Sequence, residues 1–185
     1  MDSSYNMGNN LRDGDGMKIN DSTDSLWGTP IDLPCARHVF AISLLNGWNI
    51  QTADVEAAYL VSDLRGPPVY LRLPPEIWQA CDVDSDCLSK FRDPCVRVKK
   101  AMYGLPRSGF DWYMHCHEIL TIKLGWKKVA NFDSLYSKSE CILAVYVDDM
   151  LMAGQSTVMG KEWKSLTKYL KFGSCLLYTS PSPRD

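Results

Sequence analysis

Two adjacent aspartates, Asp148 and Asp149, interrupt an otherwise apolar run that extends from Ile142 to Ala153. Ile142, Leu143, Ala144, Val145 and Val147 stand before them, and Met150, Leu151 and Met152 follow. Each half is too short for an ordinary helix and is rich in residues that suit a pleated surface. The pattern predicts a β-hairpin, buried on both faces, with an acidic tip. Two carboxylates held together repel one another unless a counter-charge lies between them. A divalent cation supplies that charge, and carboxylate oxygens suit Mg²⁺. The plainer alternative is a solvated Asp-Asp turn, the commoner fate of such a pair. The apolar flanks argue against it.

Elements are readable on either side of this hairpin. A buried helix is expected from Leu33 to Gly47, where Val39, Phe40, Ile42, Leu44 and Leu45 crowd one broad face. Asn49–Asp54 alternates as a short strand, and Val55–Leu60 reads as a short helix. Val69–Leu73 and Cys95–Lys99 alternate as strands, with Pro67-Pro68 and Pro74-Pro75 fixing the ends of the first. Ala80–Pro94 reads as an acidic loop. The longest helix is expected over Arg107–Leu124, closed by Gly125. Strands follow at Trp126–Val129, Ser134–Ser137 and Ile142–Val147, then an amphipathic helix over Thr157–Phe172. This order predicts an α+β fold, a mainly antiparallel sheet with helices packed on one face.

The 185-residue length fits one domain with loose ends. Residues 1–29 are rich in Asp, Ser, Asn and Gly, show no period, and are expected to be disordered. Residues 174–185 contain Pro181 and Pro183 and are expected to be an unstructured tail; the string resembles a translated adapter and is an expected artefact. The domain therefore spans 30–173.

The net charge of −2 does not announce a nucleic-acid binder; its distribution says more. Asp2, Asp13, Asp15, Asp21 and Asp24 outweigh Arg12 and Lys18 at the start. Arg97, Lys99, Lys100, Arg107, Lys123, Lys127 and Lys128 outweigh Asp111 and Glu118 in the middle. That stretch is a candidate phosphate-facing surface, or an ordinary solvated face. Seven cysteines without a signal peptide predict free thiols in a reducing compartment, not secretion. No apolar run approaches the ~18 residues of a membrane span. His115-Cys116-His117 and Cys81, Cys87 and Cys95 lack zinc spacing, because consecutive helical side chains diverge by about 100°. A Cys116-based nucleophile has no orienting group placed beside it.

Asp54 ends its strand and precedes the small residues Ala57 and Ala58, then Tyr59. Alone it is closer to a helix cap than a ligand. Asp54-Val55-Glu56-Ala57-Ala58-Tyr59-Leu60 resembles the first catalytic motif of reverse transcriptases, and Tyr146-Val147-Asp148-Asp149 resembles their Tyr-X-Asp-Asp box. Between them, Cys95–Tyr113 resembles the Copia-type stretch that leads from a strand into the template-contacting helix. The three blocks occur in the family's order across roughly Pro30–Gly173, and together they are far more specific than either aspartate motif alone.

The resemblance implies the palm of a Copia-type retrotransposon polymerase, with two-Mg²⁺ nucleotidyl transfer to a primer 3′-hydroxyl. Asp54, Asp148 and Asp149 would be catalytic and hold Mg²⁺, or Mn²⁺ in its place, helped by the Val55 carbonyl. Ala58, Tyr59, Gly104 and Arg107 would meet the incoming deoxynucleoside triphosphate, Tyr59 as the gate against a ribose 2′-hydroxyl. Tyr146, Leu105, Pro106, Ser108, Lys99 and Lys100 would meet template and primer. Tyr59 also reads as a plain core tyrosine, and Lys99 and Lys100 as ordinary exposed lysines. The 104–111 block departs from the family pattern: a Gln usual near Arg107 is missing, and Gly109-Phe110-Asp111 replaces a Pro-Arg-Ala type. The implied partners are an RNA or DNA template with primer and the rest of a retrotransposon polyprotein, in cytoplasmic virus-like particles or the nucleus, without a membrane. The family's basic fingers segment, thumb, RNase H, integrase and protease are not in this sequence. A polyprotein fragment is therefore expected, with a weak hold on primer and template. The competing expectation is an inactive truncated remnant with residual nucleic-acid or metal binding.

Overall fold

The computed structural model describes residues 30–81, 85–173 and 176–178. The expected disorder of 1–29 lies outside the described residues. In chain order the elements are α1 (Leu33–Asn46), β1 (Asn49–Asp54), α2 (Ala58–Val61), β2 (Tyr70–Leu71), α3 (Pro75–Ala80), α4 (Ser85–Leu88), β3 (Val96–Arg97) and α5 (Ser108–Glu118). A π-helical turn (Ile119–Lys123) continues α5, and then come β4 (Lys127–Lys128), β5 (Leu135–Lys138), β6 (Cys141–Tyr146), β7 (Asp149–Gly154), α6 (Ser156–Leu166) and β8 (Leu176–Tyr178).

The predicted hairpin is β6 and β7, antiparallel, with Tyr146 opposite Asp149 and Val147-Asp148 as the turn. It forms the centre of a six-stranded antiparallel sheet ordered β4-β5-β6-β7-β1-β8, and β2 and β3 form a separate ribbon. Side chains alternate across the hairpin as strand geometry requires. Cys141, Leu143, Val145, Met150 and Met152 join one core with α5, the π turn and α6. Ala144, Ala153, Ile142 and Leu151 join the other, with Ile31, Cys35 and Val39 at and beside α1. Leu143, Met150 and Met152 are fully buried, each worth about 1.5–3 kcal/mol of hydrophobic stabilisation.

Helices thus cover both faces of the sheet, where the sequence order predicted one. A hairpin apolar on both sides needs cover on both sides, and α1 supplies the second. That helix has its expected ends: the Asp32 side chain accepts from the Cys35 amide at 2.8 Å, and Gly47 closes it at φ 63°. It is not the buried helix expected, since Leu44 and Leu45 are 76% and 86% exposed. Only Cys35, Val39 and Ser43 are buried, because a helix lying on a sheet turns a single stripe inward.

Other boundaries moved for identifiable reasons. Pro75 does not merely stop β2; it occupies the first turn of α3, where its fixed φ is favourable. The loop expected over 80–94 also contains α4. The long helix changes pitch at Ile119, where the Thr121 hydroxyl donates to the His117 carbonyl at 2.7 Å. A hydroxyl bond of this kind, to the carbonyl four residues back, often bends a helix. The last helix ends at Leu166 instead of Phe172, because Lys171 and Gly173 bond to the end of β1: Glu56 N–H donates to Lys171 O and Gly173 N–H to Asp54 O. Leu176–Tyr178 pairs antiparallel with β1, in a segment expected to have no regular structure. The prolines that predict irregularity, Pro181 and Pro183, come after it.

Gly154 fits tightly where β7 meets the start of β6. A Cβ there would stand 2.6 Å from both Cys141 Sγ and the Glu140 carbonyl oxygen. Gly154→Ala should therefore destabilise the protein by about 1–3 kcal/mol, a fall in Tm of about 3–10 °C in a thermal melt. An unchanged Tm would mean that this corner is looser than described.

Candidate functional site

The sheet register brings the acidic residues together. β1 pairs with β7 so that Asp54 lies directly opposite Asp149. Asp54 shares its parity with Ile50, and Asp149 with Leu151 and Ala153, so both carboxylates belong to the α1-facing side. Asp148 occupies the turn, and its carbonyl accepts the Val55 amide at 2.8 Å. A second clasp joins the Gly173 amide to the Asp54 carbonyl at 2.9 Å. Gly173 also leaves room for the carboxylate, since a Cβ there would stand 3.6 Å from Asp54 Oδ2. Like charges opposed across a ladder destabilise it. Accordingly, partial burial and then the charges of Asp148 and Asp54 raise the Asp149 carboxyl above the ordinary carboxylate range.

The turn itself is strained. Val147 has φ +55°, a left-handed conformation that β-branched residues rarely adopt, at a cost of about 1–3 kcal/mol. Its carbonyl accepts the Trp112 indole N–H at 2.6 Å. Val55 is 1% exposed and forms a bridge with Phe172. The bonds of that bridge are carried by Glu56 and Gly173, so they do not use the Val55 carbonyl.

The donor set Asp54, Asp148, Asp149 and the Val55 carbonyl is all oxygen, the chemistry Mg²⁺ prefers. The carboxylates are neighbours, yet they do not form a closed cage. Among the described residues no three His, Cys, Asp or Glu side chains stand close enough to hold a metal ion. Burial first, and then the charges of Asp148 and Asp54, raise the Asp149 carboxyl, and a cation beside it would oppose both effects.

Beside the hairpin tip lies an aromatic cleft of about 630 Å³, lined in part by Tyr59, Tyr103, Gly104, Leu105, Pro106, Ser108, Trp112 and Val147. Tyr59 stacks obliquely on Tyr103 with ring centroids 4.6 Å apart. Burial, Tyr103 and then the charge of Asp148 push the Tyr59 hydroxyl up, which places this ring within the field of the acidic tip. Ala58, the residue before it, is buried. Gly104 has φ +91°, so the loop at the cleft mouth depends on glycine there. Tyr146 is 55% exposed, across the ladder from Asp149. Tyr103, Trp112 and Val147 were not singled out as site residues from sequence. Trp112 had a helical apolar period as its signal, which marks core and nothing more.

Three residues expected to meet nucleotide or nucleic acid are engaged elsewhere. Ser108 is buried, donating to the Met102 carbonyl at 2.6 Å and accepting its amide at 2.9 Å. Arg107 is held by the fully buried Asp111 carboxylate at 3.3 Å, over the Phe110 ring and against Gly66. Asp111 also accepts the Arg65 amide at 3.2 Å. Lys100 pairs with Asp63 at 2.7 Å and donates to the Val61 carbonyl at 3.0 Å. Lys99 is exposed, beside Arg97 on the β3 ribbon.

The His and Cys residues of α5 diverge as their spacing requires. Cys116 faces the core, its thiol pushed up to about 12 by burial. The Nδ1 of His117 lies 3.1 Å from the Tyr136 hydroxyl. His115, half-buried, is held below its ordinary pKa chiefly by that burial. No described helix is long and apolar enough to cross a membrane.

The raised Asp149 carboxyl has a consequence for stability. A carboxyl whose folded pKa exceeds its unfolded value binds more protons folded, so its contribution worsens as pH rises through that window. Asp149→Asn should therefore raise Tm near pH 7 by about 1–2 °C, the scale for a largely exposed charge. The gain should vanish as pH falls through the carboxylate range. Melts across pH 3–7 check it, and a variant less stable at neutral pH would contradict it.

Comparison with known proteins identifies the family. The family model described as reverse transcriptase (RNA-dependent DNA polymerase) matches residues 18–174. The Transposon Ty1-BL Gag-Pol polyprotein of Saccharomyces cerevisiae is 28% identical over 112 residues, which is 60% of this chain and 6% of that protein. The truncated transposon Ty1-A Gag-Pol polyprotein of the same yeast is also 28% identical over 112 residues, 60% of this chain and 8% of its own length. The chain thus spans less than a tenth of the relatives it matches. No solved structure matches it. The matched residues run through Asp54, the Gly104 loop and the Asp148-Asp149 hairpin, and the chain belongs to the reverse transcriptase (RNA-dependent DNA polymerase) family, as a Copia-type member.

Proposed function

We propose that this chain is the palm of a reverse transcriptase, the part that joins a deoxynucleoside triphosphate to a primer 3′-hydroxyl. The observation that carries this reading is the β1–β7 register, which sets Asp54 opposite Asp149 and beside Asp148. Asp54, Asp148 and Asp149 would hold Mg²⁺, with Mn²⁺ as a substitute, and the Val55 carbonyl would lend a further oxygen. When bound, the cation supplies counter-charge to the carboxylates and Lewis acidity to the reacting phosphate.

The chain's own residues shape the rest of the site. Tyr59, stacked on Tyr103 near Asp148, closes one side of the nucleotide space and excludes a ribose 2′-hydroxyl. Gly104, Leu105 and Pro106 form the cleft wall against which the base and template lie. Tyr146 and Lys99 are exposed and would meet template and primer. Arg107, Ser108 and Lys100 brace the loop instead, given the partners they have here. Template, primer and the remaining parts of a retrotransposon polyprotein are the partners this reading requires, in cytoplasmic particles or the nucleus.

The test is thermal stability of the full chain under Mg²⁺ or Mn²⁺ titration. Binding to the folded state should raise stability by about 2.7 kcal/mol at a hundredfold excess over Kd. Asp54→Asn and Asp148→Asn should each abolish most of that rise. A rise unchanged by both variants would place the cation elsewhere. No rise in the parent would leave an inactive chain as the reading.

A further inference from the structure

We infer that Trp112 is a positioning residue for the acidic hairpin tip: its indole N–H holds Val147 in the left-handed conformation that fixes the carbonyl and carboxylate of Asp148. The link from this turn to metal binding rests on the function proposed above; the tether itself does not.

The inference rests on the geometry of the turn and of the residues that touch it. Val147 is the first residue of a two-residue turn, since Tyr146 and Asp149 are already a ladder pair. Such turns favour glycine or asparagine where φ is positive, yet a valine at φ +55° stands here. A strained turn persists only where its surroundings over-determine it, and the 2.6 Å bond from Trp112 Nε1 to the Val147 carbonyl is a specific constraint. Trp112 is 2% exposed and packed in the core below the sheet, so the donor is fixed in place. The next carbonyl, of Asp148, accepts the Val55 amide at 2.8 Å. Trp112 on α5 is thus connected through one strained residue to both strands that carry the carboxylates. A buried indole without a partner is tolerated elsewhere in this core, at Trp126 and Trp163. Burial alone therefore does not explain why the Trp112 donor is aimed at the turn.

Amide hydrogen exchange on the full chain tests the tether. Trp112→Phe keeps an aromatic ring and removes the donor. It should lower protection of the Val55 amide by about tenfold, the scale of one lost hydrogen bond, while Leu143 and Met152 at mid-hairpin keep theirs. Adding Val147→Gly, which adopts positive φ without a tether, should restore Val55 protection in the double variant. A loss of general core packing would not be rescued at that position. The indole proton of Trp112 in the parent provides a check that needs no variant, and it should exchange slowly. Unchanged Val55 protection in Trp112→Phe, failure of the glycine rescue, or a freely exchanging Trp112 indole would each overturn the tether. Mn²⁺ affinity should fall and recover in the same order across these variants. If the parent binds no Mn²⁺, the polymerase reading fails, and the exchange data still decide the tether.

Discussion

Like charges do not gather of their own accord, and the pairing of β1 with β7 is what forces them together here. Ladder hydrogen bonds and the burial of both hairpin faces are cooperative and local to the strands. They set a register in which Asp54 must face Asp149. A one-residue slip would turn every side chain of β1 to the other face, moving Asp54 away from the site and Val55 out of the core. The same hydrophobic alternation that stabilises the sheet therefore decides where the carboxylates stand. The rise in the Asp149 carboxyl comes first from burial and then from the charges of Asp148 and Asp54 that this register brings near.

The region around the tip is held mainly by backbone groups. Val55 bonds to Asp148, Gly173 to Asp54, and Trp112 to Val147. Side chains with charge are drawn instead into pairs that brace the neighbouring loops, as with Arg107–Asp111, Lys100–Asp63 and Arg65–Glu118. Asp111 is the most consequential of these. It is fully buried and joins α5 to the 65–66 turn through Arg107 and the Arg65 amide. Asp111, in the Gly109-Phe110-Asp111 stretch that departs from the family pattern, is thus the partner of Arg107.

Much of this was legible in the sequence. The hairpin, its acidic tip, the Asp54 strand and the Gly47 cap follow from period, turn chemistry and propensity, all of which are local. The association of Asp54 with Asp148 came from motif resemblance, because strand partners nearly a hundred residues apart leave no trace in local pattern. What was not legible depends on tertiary competition. Helix α1 shows its apolar residues to the outside because one stripe suffices to cover the sheet. Lys171–Gly173 leave a helical pattern because the end of β1 offers better partners. The partners of Arg107, Ser108 and Lys100 are set by individual side-chain contacts, which residue type alone does not predict. The strain at Val147 has no signature at all in a Tyr-Val-Asp-Asp string.

The central claim is that Asp54, Asp148 and Asp149 form one cation site. The measurement that meets it most directly is an anomalous difference map, at the manganese absorption edge, from crystals of this chain soaked in Mn²⁺. The account predicts a peak among these three carboxylates, within reach of the Val55 carbonyl. A map with no peak there, or with its peak at the histidines of α5, would contradict it.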